Sequence, residues 1–290
     1  MAYDRGMFSI EIYLQERKAR IEDRLLAVLP SSGARPDVLI EAMRHAVLAG
    51  GKRIRPSLCL AAAEAAGGTC DDAWWPALAV ELFHTYTLVH DDLPCMDNDL
   101  VRRGQPTVHA KYGETIGVLT GDALQGLAFE LLGRTPEKRP GVVAALVAEL
   151  GRTAGAGGVV AGQVEDIRFA GRADPATIAY VHQHKTADLF ASAMRMGAIA
   201  AGASGETIRQ IGLCAEHTGL AFQIVDDLLD DGEARPGKPP ELSCLQHWSR
   251  DEARRRAAEH TAAAAAALQG LPGPVEPLQA LTAELLGRVR

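Results

Sequence analysis

A chain of 290 residues, 47% of them apolar or aromatic, holds enough material for a substantial buried core and fits one large or two small domains. The formal net charge of -7, with no segregated block of Lys and Arg, argues against a nucleic-acid or anionic-membrane partner, so any anionic substrate must be met by a local basic site. No charged start leads into an apolar segment and cleavage site, and no apolar run approaches ~18 residues, so a cytoplasmic protein without a membrane span is expected.

The periodicity is helical almost throughout, and no segment reads as a convincing strand. Helices are predicted over 5–29, 36–48, 54–66, 72–90, 114–132, 140–154, 157–169, 175–200, 205–230, 249–269 and 275–288. Within 72–90, Leu78, Leu82, Tyr86 and Val89 recur at helical spacing, and Phe83 widens the apolar face. The breaks carry Pro and Gly, as in "PSSGARP", "GRTPEKRPG" and "DGEARPGKPPE", and none is long enough for an interdomain linker. A single all-α domain over 1–290 is therefore expected. The five cysteines, Cys59, Cys70, Cys95, Cys214 and Cys244, are scattered without CxxC spacing, which fits reduced thiols.

Two acidic clusters, "DDLPCMDND" at 91–99 and "DDLLDD" at 226–231, each follow an apolar helix. Negative charge at a helix C-terminus opposes the dipole. Asp226 and Asp230 share one helical face, with Asp227 about a third of a turn away. Pro94 biases Leu93 out of helical geometry, so Asp97 returns toward Asp91 and Asp92. One reading is a pair of solvated helix ends. The other is a set of hard oxygen ligands for Mg²⁺ holding substrate phosphates, and the repetition of the cluster favours it. A calcium loop fits poorly, for want of regularly spaced oxygens around a central glycine.

The inverse anomaly is "GGKRIRP" at 50–56, where Lys52, Arg53 and Arg55 sit at a predicted helix start that favours anions. Arg102 and Arg103 follow the first acidic cluster, and "HQHKT" supplies Lys185. As a set these cations suit a bisphosphorylated substrate, although each alone reads as surface charge. His84 lies two turns before Asp91. Gln163, Asp166 and Gln223 are polar residues on apolar helices and need partners, of which a ligand is one candidate.

"GGKRIRP", "DDLPCMDNDLVRRGQPT", "AGQVED", "HQHKT" and "GLAFQIVDDLLD" stand in the order and approximate spacing of the trans-prenyltransferase (polyprenyl synthetase) family. Over residues 40–231 the chain resembles that family's bacterial farnesyl diphosphate synthase branch. The resemblance implies the all-α isoprenoid synthase bundle around a deep central cavity, usually as a homodimer, and Mg²⁺-dependent condensation of isopentenyl diphosphate with an allylic diphosphate. By the same resemblance Asp91, Asp92, Asp97, Asp226, Asp227 and Asp230 would hold Mg²⁺ and, with Lys185, carry the catalysis. Arg102, Lys185, Thr186, Gln223 and Lys238 would contact the allylic diphosphate, and Lys52, Arg55, His84 and Arg103 the isopentenyl diphosphate. Tyr86, five residues before Asp91 and so ~7 Å deeper along a helix, implies a C15 product, with C10 and C20 as alternatives.

After Asp230 the chain departs from the family, being shorter by about fifteen residues and keeping one glycine-lysine pair, Gly237 and Lys238. Asn98 and Leu100 replace aspartates common among relatives. The shortened segment keeps open a diverged, non-catalytic or regulatory homologue. "HDD" at 90–92 raises a metal-dependent phosphohydrolase, which would need further histidines near the site.

Overall fold

Alanine- and leucine-rich segments wind into helices whose ends are set by local capping. The side chain of Ser9 accepts from the Ile12 N–H at 3.3 Å, Asp174 accepts from Thr177 N–H at 2.8 Å, and Ser249 accepts from Glu252 N–H at 3.2 Å. Asp72 accepts from the Thr69 N–H at 2.8 Å, which moves the start of the predicted 72–90 helix back to Cys70. The structure is a computed structural model that describes residues 9–136, 140–168, 173–230 and 242–287.

In chain order the described helices are α1 (Ile10–Val28), α2 (Asp37–Leu48), α3 (Ile54–Ala65), α4 (Cys70–Asp91), α5 (Val108–Tyr112), α6 (Glu114–Leu132), α7 (Val142–Ala154), α8 (Val159–Arg168), α9 (Pro175–Val181), α10 (Asp188–Ala200), α11 (Gly205–Asp230), α12 (Arg250–Ala267) and α13 (Glu276–Leu286). The all-α expectation holds. The exception is a hairpin of two-residue strands, β1 (Val101–Arg102) and β2 (Gln105–Pro106), paired antiparallel. Its turn residues Arg103 and Gly104 have φ of 52° and 74°, the left-handed pair that matches strand twist in a two-residue hairpin. Strands this short leave no alternating pattern to read.

α4 is buried on nearly every side, as a helix apolar all round should be. Leu78, Leu82 and Phe83 join Leu124 and Leu131 of α6 and Leu146 of α7 in one core cluster. A second joins Leu58 of α3, Phe190 and Met194 of α10, Ile211 of α11 and Leu281 of α13. A third, made by Ile224, Val225 and Leu228 with Ala253 and Ala257 of α12, lies under the last turns of α11. α10 packs against both α4 and α11, so the two helices that carry acidic clusters flank a common helix.

Two expectations change. The predicted helix over 175–200 is interrupted by a π-helical turn, His182–Ala187, between α9 and α10. The stretch Val142–Arg168 is long and apolar enough to cross a membrane by length and composition, contrary to the expectation that no apolar run approaches that length. It is broken into α7 and α8 around Gly155–Gly158, and α7 places Leu146 and Leu150 in the core.

Candidate active site

Beyond the last turn of α4 the backbone folds back on itself. The Asp97 N–H donates to the Asp91 carbonyl at 2.8 Å, and those of Met96 and Asn98 donate to the Leu93 carbonyl at 2.9 and 3.0 Å. Asp97 therefore returns beside Asp91, as Pro94 predicts. Asp92 is buried and accepts from Arg102 Nε at 2.7 Å. Burial pushes the Asp91 carboxyl up to about 7; Lys185 and Arg102 oppose the rise, and the neighbouring Asp97 and Asp92 add to it. Burial likewise raises Asp92, against its bond from Arg102.

The basic motif divides into different roles. Arg53 turns inward, 2% exposed, and donates from Nη1 to Glu81 Oε1 and from Nη2 to the Val47 carbonyl, each at 2.7 Å. Lys52 is exposed. Arg55 lies over the Phe190 ring, 4.6 Å from its centroid, and donates from Nη1 to His84 Nε2 at 3.1 Å. Since arginine can only donate, His84 carries its proton on Nδ1. Burial, with Arg55 and Arg103 beside it, holds the His84 pKa well below the ordinary value, and burial lowers Arg55 to about 10. On the hairpin, Arg102 leans to Asp92 while Arg103 reaches the other way, donating to the Gly50 carbonyl. A cleft lined by His45, Thr85, Leu88, Asp92 and Arg103 opens behind this junction.

The π-helical turn presents Lys185 and Thr186. Such turns insert one residue and re-aim the side chains around them. Lys185 donates to Asp166 of α8, which lies so close that a Cβ on Gly162 would fall 2.2 Å from the Lys185 backbone nitrogen. Burial works against the Lys185 ammonium, but Asp166, Asp91 and Asp97 outweigh it and raise its pKa. Thr186 donates to Gln223 Oε1 at 2.9 Å, and Gln223 Nε2 donates to Asp227 Oδ1 at 3.1 Å. Asp227 Oδ2 accepts the Cys244 N–H at 2.7 Å, with His182 Nε2 at 3.4 Å. Asp227 is thus 6% exposed and packed inward, whereas Asp226 acts electrostatically on Arg55. The Asp230 side chain and Lys238 lie outside the described residues.

Residues 36–239 match the family model described as polyprenyl synthetase. The chain belongs to the polyprenyl synthetase family. It is similar to a geranylgeranyl pyrophosphate synthase, chloroplastic, of Capsicum annuum, 45% identical over 77% of this chain and 61% of that protein, so it spans less than two thirds of that relative's length. It is similar also to the farnesyl diphosphate synthase of Geobacillus stearothermophilus, 40% identical over 81% of this chain and 80% of the relative. Among solved structures, an FPP/GFPP synthase from Zymomonas mobilis superposes with a TM-score of 0.87 at 33% identity, covering 96% of this chain and 98% of the other. The fold is that of the isoprenoid synthases.

Tyr86 is 7% exposed and held edge-on by Phe83 and His90, with ring centroids 4.7 and 5.3 Å away. Burial, with Asp91 and Asp122 nearby, raises the pKa of its hydroxyl. His90 Nε2 donates to the Val118 carbonyl at 3.0 Å, so that nitrogen has no lone pair for a metal. Sequence reasoning missed Glu81 and Phe190 in the basic half. A carboxylate inside the apolar stretch "ALAVELF" was the available signal for Glu81.

Proposed function

We propose that the chain is a Mg²⁺-dependent trans-prenyl diphosphate synthase that condenses isopentenyl diphosphate with an allylic diphosphate. One observation carries the reading: a corner made by the cations Arg55 and Arg103 with His84 adjoins an acidic turn whose Asp91 and Asp97 are electrostatically coupled to Lys185. The names of the relatives point the same way.

The donor set fits Mg²⁺, because the acidic motifs offer only hard oxygens and Asp91 is a desolvated carboxyl that a cation would keep ionised. Among the described residues no three His, Cys, Asp or Glu side chains are already gathered for a metal. Mg²⁺ is held through carboxylates and completed by substrate phosphates. Asp91, Asp97, Asp226 and Asp230 would hold it. Asp92 and Asp227, bonded to Arg102 and to Gln223 and Cys244, would orient their neighbours from behind. Bound magnesium supplies Lewis-acid stabilisation of the departing diphosphate. Lys185, Thr186, Arg102, Gln223 and Lys238 position the allylic group. Lys52, Arg55, His84 and Arg103 hold the isopentenyl diphosphate so that its double bond attacks the allylic carbon as the diphosphate leaves. No protein nucleophile is required, and the proton lost from the new chain passes to diphosphate oxygen.

On the buried ring of Tyr86, five residues before Asp91 on α4, we propose a farnesyl product, and on the family resemblance a homodimer. A geranylgeranyl product is the second reading, favoured by the names of several relatives. Tyr86→Ala should shift the main product from C15 to C20 or longer, read by mass spectrometry of the dephosphorylated alcohols. A wild-type product already at C20 would refute the role given to Tyr86. The reaction itself is tested by incubating the protein with Mg²⁺, isopentenyl diphosphate and dimethylallyl, geranyl or farnesyl diphosphate. Elongation is expected; phosphate release without elongation would favour a hydrolase, and tight binding without turnover a non-catalytic homologue.

A further inference from the structure

Residues 50–53 are wound in a way that side chains resist. Gly50 and Gly51 have φ of 89° and 133°, and Arg53, a bulky residue, sits at φ 53° and ψ 38° just before α3. A non-glycine residue persists there only where its surroundings over-determine it. Two clamps do so. Arg103 donates to the Gly50 carbonyl and packs over Gly51, where a Cβ would come within 2.8 Å of its Nη1. The other is Glu81, 2% exposed in the middle of α4, which takes Arg53 Nη1 at 2.7 Å. Val47 adds its carbonyl, Glu22 Oε1 lies 3.6 Å from Arg53 Nε, and the Ser57 hydroxyl donates to the Arg53 carbonyl at 2.8 Å, fixing the first turn of α3.

Arg53 itself is buried and cannot reach a substrate. Its chain neighbours can: Lys52 emerges on one side and Arg55 one turn on, where it meets His84. Whatever fixes the Arg53 backbone fixes where those two cations point. We infer that Glu81 is a positioning residue which, through Arg53, holds the left-handed loop so that Lys52 and Arg55 converge on the diphosphate of isopentenyl diphosphate. This rests on the prenyl-transfer reading above. Glu81 also opposes the loss of charge that burial imposes on Arg55 and Arg103.

The test removes both charges at once. Arg53→Met with Glu81→Met leaves the net charge of the site unchanged and replaces a buried ion pair by apolar side chains, a change that cores generally tolerate. Calorimetric titration of the chelated protein with isopentenyl diphosphate should show binding weakened about 10- to 100-fold, the range commanded by outer-shell partners at other charged sites. KM for isopentenyl diphosphate should rise in parallel, while KM for the allylic diphosphate stays as in the wild type. The single variant Glu81→Asp, which keeps both Arg53 and a carboxylate, should retain most of the wild-type binding. A folded double variant that binds isopentenyl diphosphate like the wild type, or that loses both substrates equally, overturns the inference. A wild-type protein that binds isopentenyl diphosphate without elongating it sinks the reaction and leaves the positioning claim to the same titration; one that does not bind it at all overturns both.

Discussion

Asp91→Asn lowers kcat for chain elongation by at least about a hundredfold, the scale on which loss of one group stabilising developing charge slows a reaction. The same substitution raises the melting temperature of the metal-free protein. Both follow from one fact: the Asp91 carboxyl is buried at the end of α4, its pKa is pushed up to about 7, and a cation is what would favour its ionised form. The folded pKa lies above the unfolded value, so ionised Asp91 destabilises the folded chain. That destabilisation is complete above about pH 7 and is relieved as the pH falls through 7 toward the unfolded value near 4. The gap in melting temperature between Asp91→Asn and wild type should therefore be largest at pH 8 and shrink with acidification. Saturating Mg²⁺ should close it by stabilising only the wild type. Wild-type turnover in the variant would remove Asp91 from the metal site.

Arg55→Ala raises KM for isopentenyl diphosphate by about 10- to 100-fold, since a hydrogen bond to a charged group contributes roughly 1.5 to 3 kcal/mol. Arg55 is placed by its stack on Phe190 and its bond to His84, and both are lost with it. Arg55→Lys should recover only part of the binding, because an ammonium cannot reproduce the planar fork or the ring stack. A change in KM for the allylic substrate as large as that for isopentenyl diphosphate would contradict the division of the site into two halves.

Much of this was legible in the sequence because the site breaks local rules. Acids at helix C-termini and cations at a helix start marked both halves, and Pro94 foretold the return of Asp97. The helices were legible for the opposite reason, since α6 and α11 follow the bounds that period and composition predict. What stayed hidden depends on contacts distant in sequence. "GGKRIRP" presents three cations alike, and only the fold shows Arg53 buried on Glu81 while Arg55 faces His84. Of the adjacent Asp226 and Asp227, only the fold shows that Asp227 takes Gln223 and the Cys244 N–H while Asp226 acts on Arg55. The π-helical turn carries no signal in its composition, since "HQHKT" continues a helix as plausibly as it interrupts one.

On the prenyl-transfer reading proposed above, the acidic half binds through metal and the basic half does not. Calorimetric titration of each substrate, with Mg²⁺ and again with a chelator, tests it most directly, using a non-reactive thio-analogue of the allylic diphosphate. The allylic analogue should bind only when Mg²⁺ is present, and isopentenyl diphosphate should bind with similar affinity in both buffers. Tight binding of the allylic analogue in chelator, or loss of isopentenyl diphosphate binding there, would contradict the account.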